Sequence, residues 1–111
     1  MINEIGISDY VKGRSENDND ILIDIRDREM YEFGTIPGAI NIPLDEIKRL
    51  YHLPKDKDVY AFCQAGEISG EIAEILSDAG YNAYNLTADT ASIWETALNL
   101  TKNKEKAALK T

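Results

Sequence analysis

Short aliphatic runs alternate with amphipathic stretches along this chain. Ile21-Leu22-Ile23-Asp24-Ile25 and Val59-Tyr60-Ala61-Phe62 are apolar blocks bounded by polar turns, the pattern of strands buried on both faces. Ala39 to Ile42, ended by Pro43, predicts a brief strand, and Asn82 to Leu86 another. Helical patterns lie between them. Ser8 is placed to cap a short helix from Asp9 to Gly13. Asn17 to Asp20 reads as a polar turn, and Asp27 to Phe33 as a helix stopped by Gly34. Ile36-Pro37-Gly38-Ala39 is a turn. Leu44 to Leu50 predicts a helix with Leu44, Ile47 and Leu50 on one side. Ser69 is expected to cap a helix whose apolar stripe is Ile72, Ile75, Leu76 and Ala79, with Gly80 as its stop. A last helix, Thr90 to Leu100, carries Ile93, Trp94, Ala97 and Leu98. Strands alternating with helices predict the α/β class: a single three-layer domain with a small, mostly parallel β-sheet flanked by helices on both faces.

Composition narrows the class. At 111 residues the chain has the length of one domain, and its 43% hydrophobic and 29% charged residues are the balance of a folded globular protein. The formal charge of -8 disfavours a nucleic-acid binder, which needs a basic stripe along the phosphates. Basic residues gather instead in a tail, 102–111, expected to be frayed or solvated, behind a domain expected at 1–101. No apolar run approaches the length of a membrane span or a signal-peptide core, so the expectation is a cytoplasmic protein with no membrane partner. One cysteine excludes an intrachain disulfide, and one cysteine with one histidine leaves no ligand set for structural zinc, so no metal is expected.

The candidate chemical group is Cys63. It leaves a buried strand at the end where open parallel sheets place their sites. A glycine-containing loop and a helix start follow, and the free N–H groups there favour negative charge on sulfur. A thiol so placed is a nucleophile. Gly66 and Gly70 are expected to take positive φ so that several N–H groups converge on the sulfur. The competing reading is a small buried hydrophobe. Asp24 and Arg26, at the end of the first long strand, read as a structural ion pair or as hydrogen-bonding the neighbouring loop, with a substrate-facing Arg26 as the alternative. His52 reads as a surface or half-buried residue rather than a catalytic base, Trp94 as core, and Tyr60, Tyr81 and Tyr84 as strand or strand-edge packing.

Four stretches together resemble the rhodanese-like domain family of sulfurtransferases. Leu22-Ile23-Asp24-Ile25-Arg26 is similar to the family's early strand, and Gly34-Thr35-Ile36-Pro37-Gly38-Ala39 to its Gly-His-Ile-Pro-Gly-Ala motif. Val59-Tyr60-Ala61-Phe62-Cys63 with Gly66 and Ser69 resembles the active-site strand and loop, and Gly80-Tyr81 with Trp94 the closing segment. The resemblance implies that Cys63 carries a sulfane sulfur as a persulfide. A small-molecule or protein-bound donor supplies that sulfur, and a thiol or cyanide-like acceptor receives it. It implies an anion cradle from the backbone of Gln64, Ala65, Gly66, Glu67, Ile68 and Ser69, support from Asp24 and Arg26, and no cofactor. Oligomeric state is left open.

The chain departs from the family pattern in its loop. No basic residue stands between Gln64 and Gly70, and Glu67 stands there instead, so weak use of thiosulfate is expected. Thr35 replaces the motif's histidine, a position read as structural, and Thr87-Ala88-Asp89-Thr90 replaces a Gly-Gly turn. The sixth residue after Cys63 is Ser69, not the arginine of related cysteine phosphatases, so a bidentate phosphate clamp is missing. The alternative to an enzyme is a catalytically weak rhodanese-fold module that binds a partner or senses oxidants.

Overall fold

The computed structural model describes residues 3–13, 20–64 and 67–87. The expected helix Thr90–Leu100 with Trp94, the basic tail, most of the polar turn after Gly13, the Ala88-Asp89 turn, and Ala65 and Gly66 all lie outside the described residues. Five strands form one sheet: β1 (Asn3–Gly6), β2 (Asp20–Asp24), β3 (Ile40–Asn41), β4 (Asp58–Phe62) and β5 (Asn82–Thr87), in the order β1-β5-β4-β2-β3. Every pairing is parallel, with Ile23 opposite both Ile40 and Ala61, and Ala61 opposite Asn85. Helices α1 (Ile7–Gly13), α2 (Arg28–Phe33) and α3 (Glu67–Asp78) and a 3₁₀ segment (Leu44–His52) connect the strands.

The central strands are aliphatic on both sides because the sheet is covered on both. Alternate residues feed two cores. Ile23, Ile25, Val59, Ala61 and Ala83 pack with Ile72, Ala73 and Leu76 of α3. Leu22, Phe62 and Leu86 pack with Ile7 and Tyr10 of α1, and with Ile36 and Ala39. Cys63 continues the first set by strand alternation.

Several local expectations change. β1 carries no hydrophobic alternation: Asn3 and Glu4 are exposed on the sheet edge, and backbone pairing with β5 holds it. Ser8 lies inside α1, which starts one residue earlier at Ile7. The segment after Pro43 is a 3₁₀ helix kinked at Glu46 (φ -113°, ψ 24°). A three-residue repeat would align Leu44 with Ile47 and Leu50, yet the kink leaves Leu44 52% exposed while Leu50 is buried. α3 starts at Glu67, two residues before the expected cap, so Ser69 belongs to its first turn. Its buried face is Ser69, Gly70, Ile72, Ala73 and Leu76, and Ile75 is 45% exposed.

Among the described residues, two turns explain the glycines that take positive φ. In Ile36-Pro37-Gly38-Ala39, Gly38 has φ 87° and the Ala39 N–H donates to the Ile36 carbonyl at 3.0 Å, a type II turn with proline and glycine in their preferred places. At the end of α3, Gly80 has φ 96°, the Gly80 N–H donates to Ser77 O (3.1 Å) and the Tyr81 N–H to Leu76 O (3.0 Å), a Schellman cap. A Cβ on Gly80 would meet nothing closer than Lys55 Nζ at 3.9 Å. Gly80→Ala therefore carries a conformational cost without a clash, and urea unfolding should show a loss of about 1–2 kcal/mol.

Candidate functional site

The site is built where β4 ends and α3 begins. Cys63 follows directly on β4, and Gln64 beyond it is exposed. The sulfur is enclosed, the residue being 6% exposed. Its surroundings are not purely aliphatic. The Ser69 N–H donates to Cys63 Sγ at 3.4 Å, and the thiol donates to Ser69 Oγ at 3.3 Å. Ser69 is the third residue of α3, so its amide is one of the donors that a helix leaves unpaired in its first turn. The helix start thus directs an N–H at the sulfur, and Ser69 contributes through its amide and its hydroxyl, not as an N-cap. The Ser69 hydroxyl donates onward to Asn85 Oδ1 at 2.6 Å.

Gly70 has no positive φ, contrary to the expectation. Its role is spatial: a Cβ there would come within 3.2 Å of Asn85 Nδ2, so glycine leaves room for the buried amide. Glu67 and Ile68, expected in the loop, form the first turn of α3 and are both exposed. A carboxylate at the first helical position is favourable to the helix itself. Among the described residues, no group of three or more histidine, cysteine or acidic side chains could hold a metal ion, and no helix is long and apolar enough to cross a membrane.

Asp24 and Arg26 form a buried ion pair on the other face. Arg26 Nε donates to Asp24 Oδ1 at 3.0 Å and a terminal guanidinium nitrogen donates to Oδ2 at 2.8 Å. The same nitrogen donates to the Gly34 carbonyl at 2.6 Å, and the guanidinium lies 5.8 Å from the Phe62 ring centre. Phe62 belongs to the α1 side of the sheet, whereas Cys63 joins the α3 side. The arginine is therefore spent on its own loop. Thr35 occupies the motif's histidine position and donates to Asp24 Oδ2 at 2.9 Å, tying that turn to the same carboxylate.

The basic side chains of the 3₁₀ segment bond locally or are exposed. Arg49 donates to the Asn41 carbonyl and to Glu46 Oε1, both at 3.0 Å. Lys48 and His52 are exposed. Arg28 pairs with Glu46, and that bond and the Arg49 contact hold the Glu46 carboxyl below the ordinary glutamate range. These two residues flank an open groove of about 690 Å³, with Asp27, Glu29, Pro43, Leu44 and Asp45, at the carboxyl ends of β2 and β3.

Sequence reasoning missed two asparagines. Asn41 Nδ2 donates to the carbonyls of Asp24 (3.0 Å) and Arg26 (2.9 Å), fastening β3 to the end of β2. Asn85 holds Ser69 as described. Asparagine is uncommon in strands and expensive to bury unpaired, so its presence at two buried strand positions was a readable sign of side-chain pairing.

A doubly covered parallel sheet with its cysteine at the strand end defines the class, and the family follows from comparison. Residues 8–96 match the family model of the rhodanese-like domain, and the chain belongs to that family. It is 47% identical over 62 residues to the thiosulfate sulfurtransferase PspE of Escherichia coli, covering 53% of this chain and 60% of that protein. It is 32% identical over 82 residues to a sulfurtransferase of Allochromatium vinosum, covering 73% and 77% of the two chains. The crystal structure of a rhodanese-like domain protein from Staphylococcus aureus superposes with a TM-score of 0.71 at 27% identity, over 78% of this chain and 86% of that one. The match to the Escherichia coli relative thus spans less than two thirds of its length.

Proposed function

We propose that this domain is a sulfurtransferase that carries sulfane sulfur on Cys63. The observation that carries the reading is the Ser69 N–H directed at Sγ from the first turn of α3. The names of the two relatives, a thiosulfate sulfurtransferase and a sulfurtransferase, support the same chemistry. In the loading step the Cys63 thiolate attacks the outer sulfur of the donor. A new S–S bond forms on Sγ, the donor's own bond to that sulfur breaks, and the leaving group departs with the electron pair. Loaded Cys63 then bears a terminal anionic sulfur. In the unloading step an acceptor thiolate or cyanide attacks that outer sulfur and Cys63 leaves as a thiolate. Electrons balance across the two steps without an oxidant, metal or organic cofactor. Backbone N–H donors near the sulfur favour its anionic forms. We take the backbone from Gln64 to Ser69 as the anion cradle, and a neutral or protein-bound donor suits it better than thiosulfate, because Glu67 repels a dianion.

Intact-protein mass tests the proposal. Incubation with a persulfide donor should add the mass of one sulfur, and a thiol acceptor should then remove it. The gain should disappear in Cys63→Ser and after prior alkylation. A protein whose thiol alkylates normally yet takes sulfur from no donor would overturn carriage and leave a partner-binding or oxidant-sensing module.

A further inference from the structure

The buried polar chain behind the sulfur has a direction, and the direction carries a consequence. Asn85 lies within β5, opposite Ala61 of β4 and Glu4 of β1, and is buried together with Ser69 and Cys63. A serine hydroxyl has one proton to donate. Here it goes to Asn85 Oδ1 at 2.6 Å, so the serine oxygen faces the sulfur as an acceptor and the thiol proton points to it at 3.3 Å. The residue beside Ser69 is Gly70, where a Cβ would come within 3.2 Å of the Asn85 amide nitrogen. Ser69, Gly70 and Asn85 thus fit one another: one links, one makes room, one holds the proton.

We propose that Asn85 is a positioning residue for Cys63, acting through the Ser69 hydroxyl. This rests on Cys63 being the reacting thiol. While the sulfur is protonated, the chain S–H to Ser69 O–H to Asn85 C=O is complete. When the sulfur becomes an anion, a serine lone pair faces negative charge, and the arrangement improves if the hydroxyl hydrogen turns to the sulfur. That turn takes the hydrogen from Asn85 Oδ1. The amide and the sulfur compete for one proton, and Asn85 holds the hydroxyl hydrogen away from the sulfur.

The test is a double-mutant cycle read by alkylation of the chain's single cysteine with iodoacetamide at one neutral pH. Asn85→Ala removes the competitor, and alkylation should quicken about 3- to 10-fold, the effect of about one hydrogen bond. In a Ser69→Ala background the same substitution should change the rate less than about twofold, because the link is already cut. A residue that merely supported the fold would alter access to the sulfur in both backgrounds alike. The infrared S–H stretching band, unique to Cys63 in this chain, should shift with Asn85→Ala in the parent and stay fixed in Ser69→Ala. Equal acceleration in both backgrounds, or none in a folded Asn85→Ala, would overturn the proposal. If Asn85→Ala does not fold, Asn85→Asp keeps the shape and offers the hydroxyl only acceptors. Alkylation should then slow, and by much less when Ser69 is alanine; equal slowing overturns it. Neither readout needs sulfur transfer, so failure to load sulfur and failure of this coupling remain separate results.

Discussion

Asp24→Ala should lower the free energy of unfolding by about 3–5 kcal/mol, the usual cost of removing one partner from a buried ion pair. Asp24 is fully buried and Arg26 is 8% exposed. Both carboxylate oxygens are occupied: Oδ1 accepts from the Arg26 amide (2.9 Å) and Nε (3.0 Å), and Oδ2 from the guanidinium (2.8 Å) and Thr35 (2.9 Å). Without Asp24 the guanidinium keeps the Gly34 carbonyl and the Phe62 face but no counter-charge. In a small domain, whose whole stability is about 5–15 kcal/mol, such a loss is a large share. Urea and thermal unfolding monitored by circular dichroism measure it. Replacing the pair with apolar residues of similar volume, Asp24→Leu with Arg26→Met, should recover a good part of the loss, because the stranded charge is then gone. A midpoint for Asp24→Ala equivalent to less than about 1 kcal/mol of change would contradict the account.

The parts of the fold readable from sequence are those that hydrophobic burial determines. β2 and β4 are aliphatic because helices cover both faces, and their patterns announce that directly. Gly38 and Gly80 mark a turn and a helix end because the backbone takes positive φ there, whereas Gly34 ends α2 in extended backbone. What escaped was determined by other forces. β1 is held by backbone hydrogen bonds on an edge, which write no side-chain pattern. The stripe on α3 was misplaced toward Ile75 because Ser69 and Gly70 face inward, and inward-facing small polar residues look like a loop. The site divided the same way. Cys63 at a strand end was legible from position alone. The pairing of Ser69 with Asn85 is not, since sixteen residues separate them and the packing of α3 against β5 brings them together.

The loop charge leads to the second large effect, in which function and stability should move in opposite directions. Glu67 is the first residue of α3, exposed, and without an arginine beside it between Gln64 and Gly70. In water, unit charges about 6 Å apart interact by about 0.7 kcal/mol, and a thiosulfate dianion doubles this. Neutralising Glu67 should then improve thiosulfate capture by up to about tenfold, and reversing its charge by up to about a hundredfold, before screening by salt. Glu67→Gln and Glu67→Arg should raise kcat/KM for thiosulfate in that order, and the gain should shrink as ionic strength rises. An uncharged sulfur donor should show no such ranking, because it feels no net field. The helix pulls the other way. A carboxylate at its first residue is worth about 0.3–1 kcal/mol, which Glu67→Arg forfeits while placing a cation against the positive helix end. Urea unfolding should therefore rank the parent above Glu67→Gln and Glu67→Arg last. If thiosulfate kinetics stay flat across three folded proteins, or if the uncharged donor gains equally, then Glu67 points away from the donor's path and the carboxylate serves α3 alone.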